Sequence, residues 1–161
     1  MRFTTAPRYQ TLTALWATDN YATSDTAPYA VANLRALDYK LEPGEVLREE
    51  LVFQGFINAV NLSMRNPFRD GARGRLLDRA TALYHLNWYL RYGQCCETAV
   101  FDARPDLARQ FGELFAELVP ADAFFYEVTD PKLPTASYTD QTALTWLGAE
   151  TVGVLFFLGY D

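Results

Sequence analysis

His85 is the residue best suited to proton transfer, because imidazole titrates near neutrality. At helical spacing its neighbours are Thr81, Trp88, Tyr89 and Tyr92. It is the single histidine of the chain, which excludes any metal or catalytic centre that needs two. A nucleophile must come from elsewhere. Ser24, Ser63 and Ser137 are the only serines, and none stands in a nucleophile-elbow context. Cys95 and Cys96 follow the same segment, so a Cys–His pairing is open to the chain. The plainer reading is a packed, hydrogen-bonded histidine and two small reduced cysteines, since neighbouring cysteines cannot staple distant segments. No catalytic residue and no metal ligand is assigned.

A second chemical feature is the stretch Arg65–Arg79, which holds five arginines and two aspartates. Gly71 and Gly74 open its backbone, and a helix is expected to start nearby. Arginines beside free helical amides favour an anion. Arg69, Arg73 and Arg75, with the amides after Gly74, are the expected anion contacts. Local pairing with Asp70 and Asp78 is the competing reading. The spacing is not that of a phosphate-binding Gly-Lys-Ser/Thr loop. Nothing resembles an H-E-x-x-H helix, an EF-hand loop or a dinucleotide fingerprint, and no cofactor is implied. The carboxylates form no catalytic pair: Glu49 and Glu50 are adjacent and diverge on a helix, and Glu113 and Glu117 lie on a solvent face.

Charge is the more usable signal. The net charge is −6 and the pI about 4.8, which disfavours general binding to nucleic acid or to an anionic membrane. Residues 1–91 carry eleven basic and nine acidic side chains, whereas residues 92–161 carry three basic and eleven acidic ones. The acidity therefore belongs to the C-terminal part. Such a split suits a basic protein partner, or head-to-tail self-association into a homo-oligomer. Asp106, Glu113 and Glu117 are the expected charged contacts, and Tyr126, Tyr138 and Trp146 the expected aromatic ones.

These residues need elements to hold them. Helical periodicity is read over residues 27–41, 44–65, 73–92 and 105–118. In the second of these, Gln54, Asn58, Asn61 and Arg65 form a polar stripe read as solvated. The third is apolar almost all round, so it is expected in the middle of the fold. The fourth has the cleanest pattern, with Leu107, Phe111, Leu114, Phe115 and Leu118 on one face. Arg8–Trp16 alternates like a strand. The tail reads as two strands around Gly148-Ala149-Glu150, with Val152, Val154, Leu155, Phe156, Phe157 and Leu158 in the core. Residues 124–128 suit either a strand or a short helix. The fold class expected is mainly α within α+β: one domain over residues 1–161, a bundle of about four helices with a small antiparallel sheet from the two ends. Its 161 residues suffice for one core without staples.

The first residues lack an apolar run of signal length, and the apolar tail carries Glu150 in its middle, which costs about 2.5–3.5 kcal/mol on insertion scales. A cytoplasmic location and no membrane association are expected. The function expected is a non-catalytic acidic domain that recognises a protein, as an immunity or inhibitor protein or as an assembly subunit. The alternative is an enzyme, or a small-molecule or anion-binding protein, with a pocket near His85 and the Arg65–Arg79 stretch.

Overall fold

The computed structural model describes residues 1–18, 34–69, 74–92, 105–129 and 140–159. Its centre is a sheet of six strands: β1 (Arg2–Thr5), β2 (Leu34–Lys40), β3 (Gly74–Leu77), β4 (Phe124–Thr129), β5 (Asp140–Leu147) and β6 (Thr151–Gly159). The strand order is β1-β2-β6-β5-β4-β3, and every pairing is antiparallel. The helices are α1 (Gln10–Thr18, entered by a 3-10 turn at Pro7–Tyr9), α2 (Glu49–Ala59), α3 (Arg79–Tyr92) and α4 (Pro105–Leu118). The molecule is a sheet-dominated α+β fold. The expected helical bundle with a small sheet is therefore wrong.

The sheet buries both faces. Leu77, Phe125, Leu144, Trp146, Leu155 and Phe157 pack with Leu12 of α1, Leu86 and Leu90 of α3, and Phe111 and Phe115 of α4. On the other face, Tyr39, Val128, Ala143, Leu147, Val152, Val154 and Phe156 pack with Val52, Phe53, Phe56 and Ile57 of α2. A strand covered on both sides is apolar at odd and even positions alike, so its alternation is lost. This explains β2. Leu34 and Ala36 face one cluster and Leu37 and Tyr39 the other, yet Leu34, Leu37 and Leu41 also fall at helical spacing. The helix expected over 27–41 is a strand from Leu34, and residues 27–33 lie outside the described residues.

The other boundaries shift for local reasons. The second helix is confined to Glu49–Ala59, because residues 44–48 leave helical geometry and Val46 is exposed. Asn61 then takes a positive φ of 51°, which ends it. The helix expected over 73–92 divides. Gly74–Leu77 is β3, and Asp78 accepts the backbone N–H and the hydroxyl of Thr81, both at 2.8 Å, so α3 begins at Arg79. The strand expected at Arg8–Trp16 is a 3-10 turn and a helix. Pro7 starts the turn, and Tyr9 and Leu12 are buried three residues apart.

Two expectations agree with the structure, and one left open between strand and helix is decided. Residues 105–118 form α4, with Leu107, Phe111 and Phe115 buried. The tail is the β5–β6 hairpin, and Val152, Val154, Leu155, Phe156 and Phe157 are buried, each contributing about 1.5–3 kcal/mol when fully removed from water. Residues 124–128 are strand. Two close approaches lock the sheet and its helices in place. Trp146 lies across Gly153, where an added Cβ would come within 2.1 Å of the indole, so only glycine fits. Arg79 donates to the carbonyls of Ala116, Val119 and Pro120, which fixes the start of α3 against the end of α4.

Candidate functional site

β4 alternates Phe125 and Glu127 toward α3 and α4, so a carboxylate enters a mostly apolar face. Glu127 is buried and fully engaged. Its Oε2 accepts from Arg75 Nη2 at 2.9 Å; its Oε1 accepts from the Tyr89 hydroxyl and from His85 Nδ1, each at 2.7 Å. The arrangement comes from register and helical spacing. Arg75 is directly cross-strand from Glu127 on β3. His85 and Tyr89 are one turn apart on α3 and reach the same oxygen. Tyr89 also stacks on Phe157 at 4.8 Å and hydrogen-bonds with Thr142.

This geometry sets the electrostatics. Burial pushes the Glu127 carboxyl up, but the Tyr89, His85 and Arg75 partners outweigh it, and the net shift is downward. Glu127 is therefore ionised at neutral pH. A carboxylate can only accept, so the proton of the His85 ring sits on Nδ1. Burial and the neighbouring carboxylate raise the Tyr89 phenol, which stays protonated. A carboxylate–imidazole pair is the apparatus of acid–base chemistry. Here the carboxylate already accepts from three donors, and the hydrogen-bond partners of His85 among the described residues are Glu127 and Arg75, with no hydroxyl or thiol nucleophile. The cluster ties α3 to β3 and β4. Cys95 and Cys96 lie outside the described residues. Among the described residues, no group of three His, Cys, Asp or Glu side chains is placed to hold a metal ion.

A second feature lies between α3 and α4. Leu83, Tyr84, Asn87 and Trp88 face Arg109, Gly112, Glu113 and Ala116 across a half-open groove with a cavity of about 620 Å³. At its floor the helices meet closely. An added Cβ on Gly112 would come within 2.4 Å of Asn87 Oδ1. Tyr84 and Trp88 are 64% and 49% exposed, one turn apart on the same helix. The reading of α3 as apolar all round and central is thus corrected: its Leu86 and Leu90 are buried, while Tyr84 and Trp88 stand at the surface. Across the groove, Glu113 is paired with Arg109 at 3.0 Å to both oxygens. Both side chains are well exposed, so the pair holds little energy.

The expected contact residues fall in different places. Asp106, Glu113 and Glu117 all project from the exposed side of α4. Tyr126 is on the far side of the sheet, its ring 4.6 Å from Phe68. Trp146 is wholly buried, edge-on to Phe115 at 5.1 Å and beside Tyr9, so it is a core residue and not a contact aromatic. Tyr138 lies outside the described residues, as does Arg73. The two described arginines of the expected anion site do not converge. Arg69 pairs with Glu50 beside α2, and Arg75 pairs with Glu127 on the opposite face. The residues missed from the sequence are Tyr84 and Glu127, and Trp88 is read only as a neighbour of His85. A lone acid inside Phe124-Phe125-Tyr126-Glu127-Val128 was the legible sign of Glu127.

No protein-family model, no curated protein and no solved structure matches the chain.

Proposed function

We propose that the chain is a non-catalytic binding domain that recognises a protein partner of basic character through the α3–α4 face. The observation that carries the reading is the groove itself. It sets two exposed aromatics against an exposed acidic helix face, and aromatic anchors beside charge are what protein interfaces use. The long-range field agrees, because the net charge of −6 originates in the C-terminal part that includes α4. Immunity or inhibitor proteins and assembly subunits are the kinds of protein this describes, working in the cytoplasm. No helix among the described residues is long and apolar enough to cross a membrane. The catalytic alternative receives less support, since His85 does not line the groove and, among the described arginines of the Arg65–Arg79 stretch, only Arg75 approaches His85.

The test is kinetic. A partner captured by crosslinking from the native host is measured against the wild-type chain and against Glu113→Lys/Glu117→Lys. The double variant should associate more slowly, dissociate at nearly the same rate and lose most of the salt dependence. A partner that binds the wild-type chain at one rate from low salt to half-molar salt refutes the electrostatic part of the reading. Turnover of a purified small substrate, abolished by His85→Gln in a folded protein, refutes it altogether. Self-association appears in the same samples as a concentration-dependent mass.

A further inference from the structure

We propose that the chain pairs with a second copy of itself along the outer edge of β3, joining two six-stranded sheets into one across a two-fold axis. The contact is separate from the α3–α4 face, because its apolar surface lies on the α2 side of the sheet.

β3 is an outermost strand. It pairs with β4, and among the described residues no strand pairs with its other side. Gly74, Arg75 and Leu76 are exposed there. An unpaired edge offers its backbone N–H and C=O groups to another strand. The opposite edge of the sheet is unlike it: β1 exposes Arg2, Thr4 and Thr5, while its Phe3 packs against Tyr39. Leu76 sits opposite Tyr126, and the two line a half-open depression of about 450 Å³ with Leu47, Phe68 and Phe124. Seven large apolar side chains stand exposed among the described residues. Leu47, Leu76 and Phe124 line this depression, and Val46 and Leu51 adjoin its residues in the chain. These five expose on the order of 400–500 Å², within the range of patches that mark contact sites. Buried against its image, with the edge backbone included, the patch removes on the order of 1,000 Å², which is where specific interfaces begin.

Symmetry and charge select a second copy as the occupant. Residues directly opposite in an antiparallel pair share a sheet face, so Arg75 meets its own image or a residue two positions away. Centring the axis on Arg75 sets two guanidiniums against each other, which is unfavourable. Centring it on Leu76 sets that leucine against its image and Arg75 against Leu77, and leaves Arg75 on Glu127. Around the depression Arg48 and Arg69 balance Glu49 and Glu50, and Arg69 already pairs with Glu50. A strongly charged partner gains nothing from such a rim, and the apolar surface decides.

The test is the mass of the full chain by sedimentation velocity, from low micromolar to several hundred micromolar. Half of the chain should be dimeric in the tens of micromolar, as a contact of this size gives. Each copy carries a net charge of −6, so the dimer should hold or tighten as salt screens the like charges. Leu76→Lys and Phe124→Lys, both at exposed positions, should each weaken it about tenfold or more. A covalent readout stands even if a lysine variant fails to fold. In a Cys95→Ser/Cys96→Ser background, Leu76→Cys should form a disulfide between copies under mild oxidant, because facing residues at the axis lie within bonding reach. Tyr84→Cys, on the other face, should not. A chain that stays monomeric to several hundred micromolar overturns the pairing. So does a dimer that survives both lysine variants, that crosslinks through Tyr84→Cys in place of Leu76→Cys, or that dissociates with added salt, the mark of head-to-tail charge contacts. None of these results bears on the α3–α4 reading, which is judged by its own salt-dependent partner.

Discussion

Replacing Glu127 with glutamine removes one charge from a nearly isosteric side chain at the point where three elements meet. The cost can be worked from the contacts. Hydrogen bonds to a charged group contribute about 1.5–3 kcal/mol each, and two of the three here come from half-buried donors, Tyr89 and His85, at 2.7 Å. The third donor, Arg75, is 63% exposed and returns readily to water, so its share is about 0–1 kcal/mol. Glutamine keeps one acceptor but turns an amide N–H₂ toward a donor, and it is easier to desolvate than a carboxylate. The net loss expected is about 2–4 kcal/mol, or on the order of 5–15 °C in Tm for a chain of this length. Urea unfolding at neutral pH, followed by far-ultraviolet circular dichroism, measures it. The acid limb supplies a second readout. The folded-state pKa of Glu127 lies below its ordinary value, so its stabilisation is present above the ordinary carboxylate range and disappears as pH falls through the depressed folded value. Glu127→Gln should remove that component of the wild-type acid loss. In a cycle with Tyr89→Phe, the two changes should be less than additive in their cost, because they break the same bond. A variant within about 0.5 kcal/mol of wild type, with the acid limb unchanged, would show that the four-residue tie does not hold α3 on the sheet.

Other perturbations test the frame around it. Gly153→Ala should destabilise by about 3 kcal/mol or more, or leave the protein insoluble, because Trp146 fills the space of the new methyl; an unchanged urea midpoint would contradict that packing. Arg79→Met should cost about 1–3 kcal/mol by stranding the carbonyls of Ala116, Val119 and Pro120 at and just beyond the end of α4, with hydrogen exchange rising first at that end of α4. Burial, with the nearby acids Glu150, Glu49 and Asp122, pushes the Tyr39 phenol up to about 12, and its hydroxyl donates to the Gly148 carbonyl at 2.7 Å. Its raised folded pKa means the stabilisation is complete below the ordinary phenol value and is lost as pH rises through about 12, so an alkaline unfolding step should shrink in Tyr39→Phe.

The amphipathic α4 and the β-branched tail were legible in the sequence. α4 was found to the residue because Phe111 and Phe115 are buried while Asp106, Glu113 and Glu117 are exposed, which leaves a clean stripe. The β5–β6 hairpin was found from β-branched runs around Gly148. β2 and β3 were not. β2 carries apolar residues at both parities, and its leucines fall at helical intervals by coincidence. β3 is four residues long and rich in arginine, and its Leu76 and Leu77 face opposite sides, so it merged with α3. At the candidate site, the acids of α4 were legible for the same reason as the helix. The aromatics were not. Leu144 and Trp146 share a sheet face by simple alternation, which hides Trp146, while Tyr84 and Trp88 surface because only one side of α3 meets the sheet. The Glu127 tie joins residues far apart in the chain, and no local pattern announces such a meeting.

The strand order has a consequence for how the chain is made. β6 lies between β2 and β5, so it is the single bridge from the β1–β2 pair to the β5–β4–β3 ladder. During synthesis from the N-terminus, β2 emerges early and its neighbour emerges late. At a ribosomal pace of about 5–20 residues per second, the interval is on the order of ten seconds. Through that interval Leu34, Leu37 and Tyr39 have no partner strand on the β6 side. The β1–β2 pair therefore waits without its inner neighbour, and the shared layer closes only when the Thr151–Gly159 segment follows β5 out of the exit tunnel and joins the two sides.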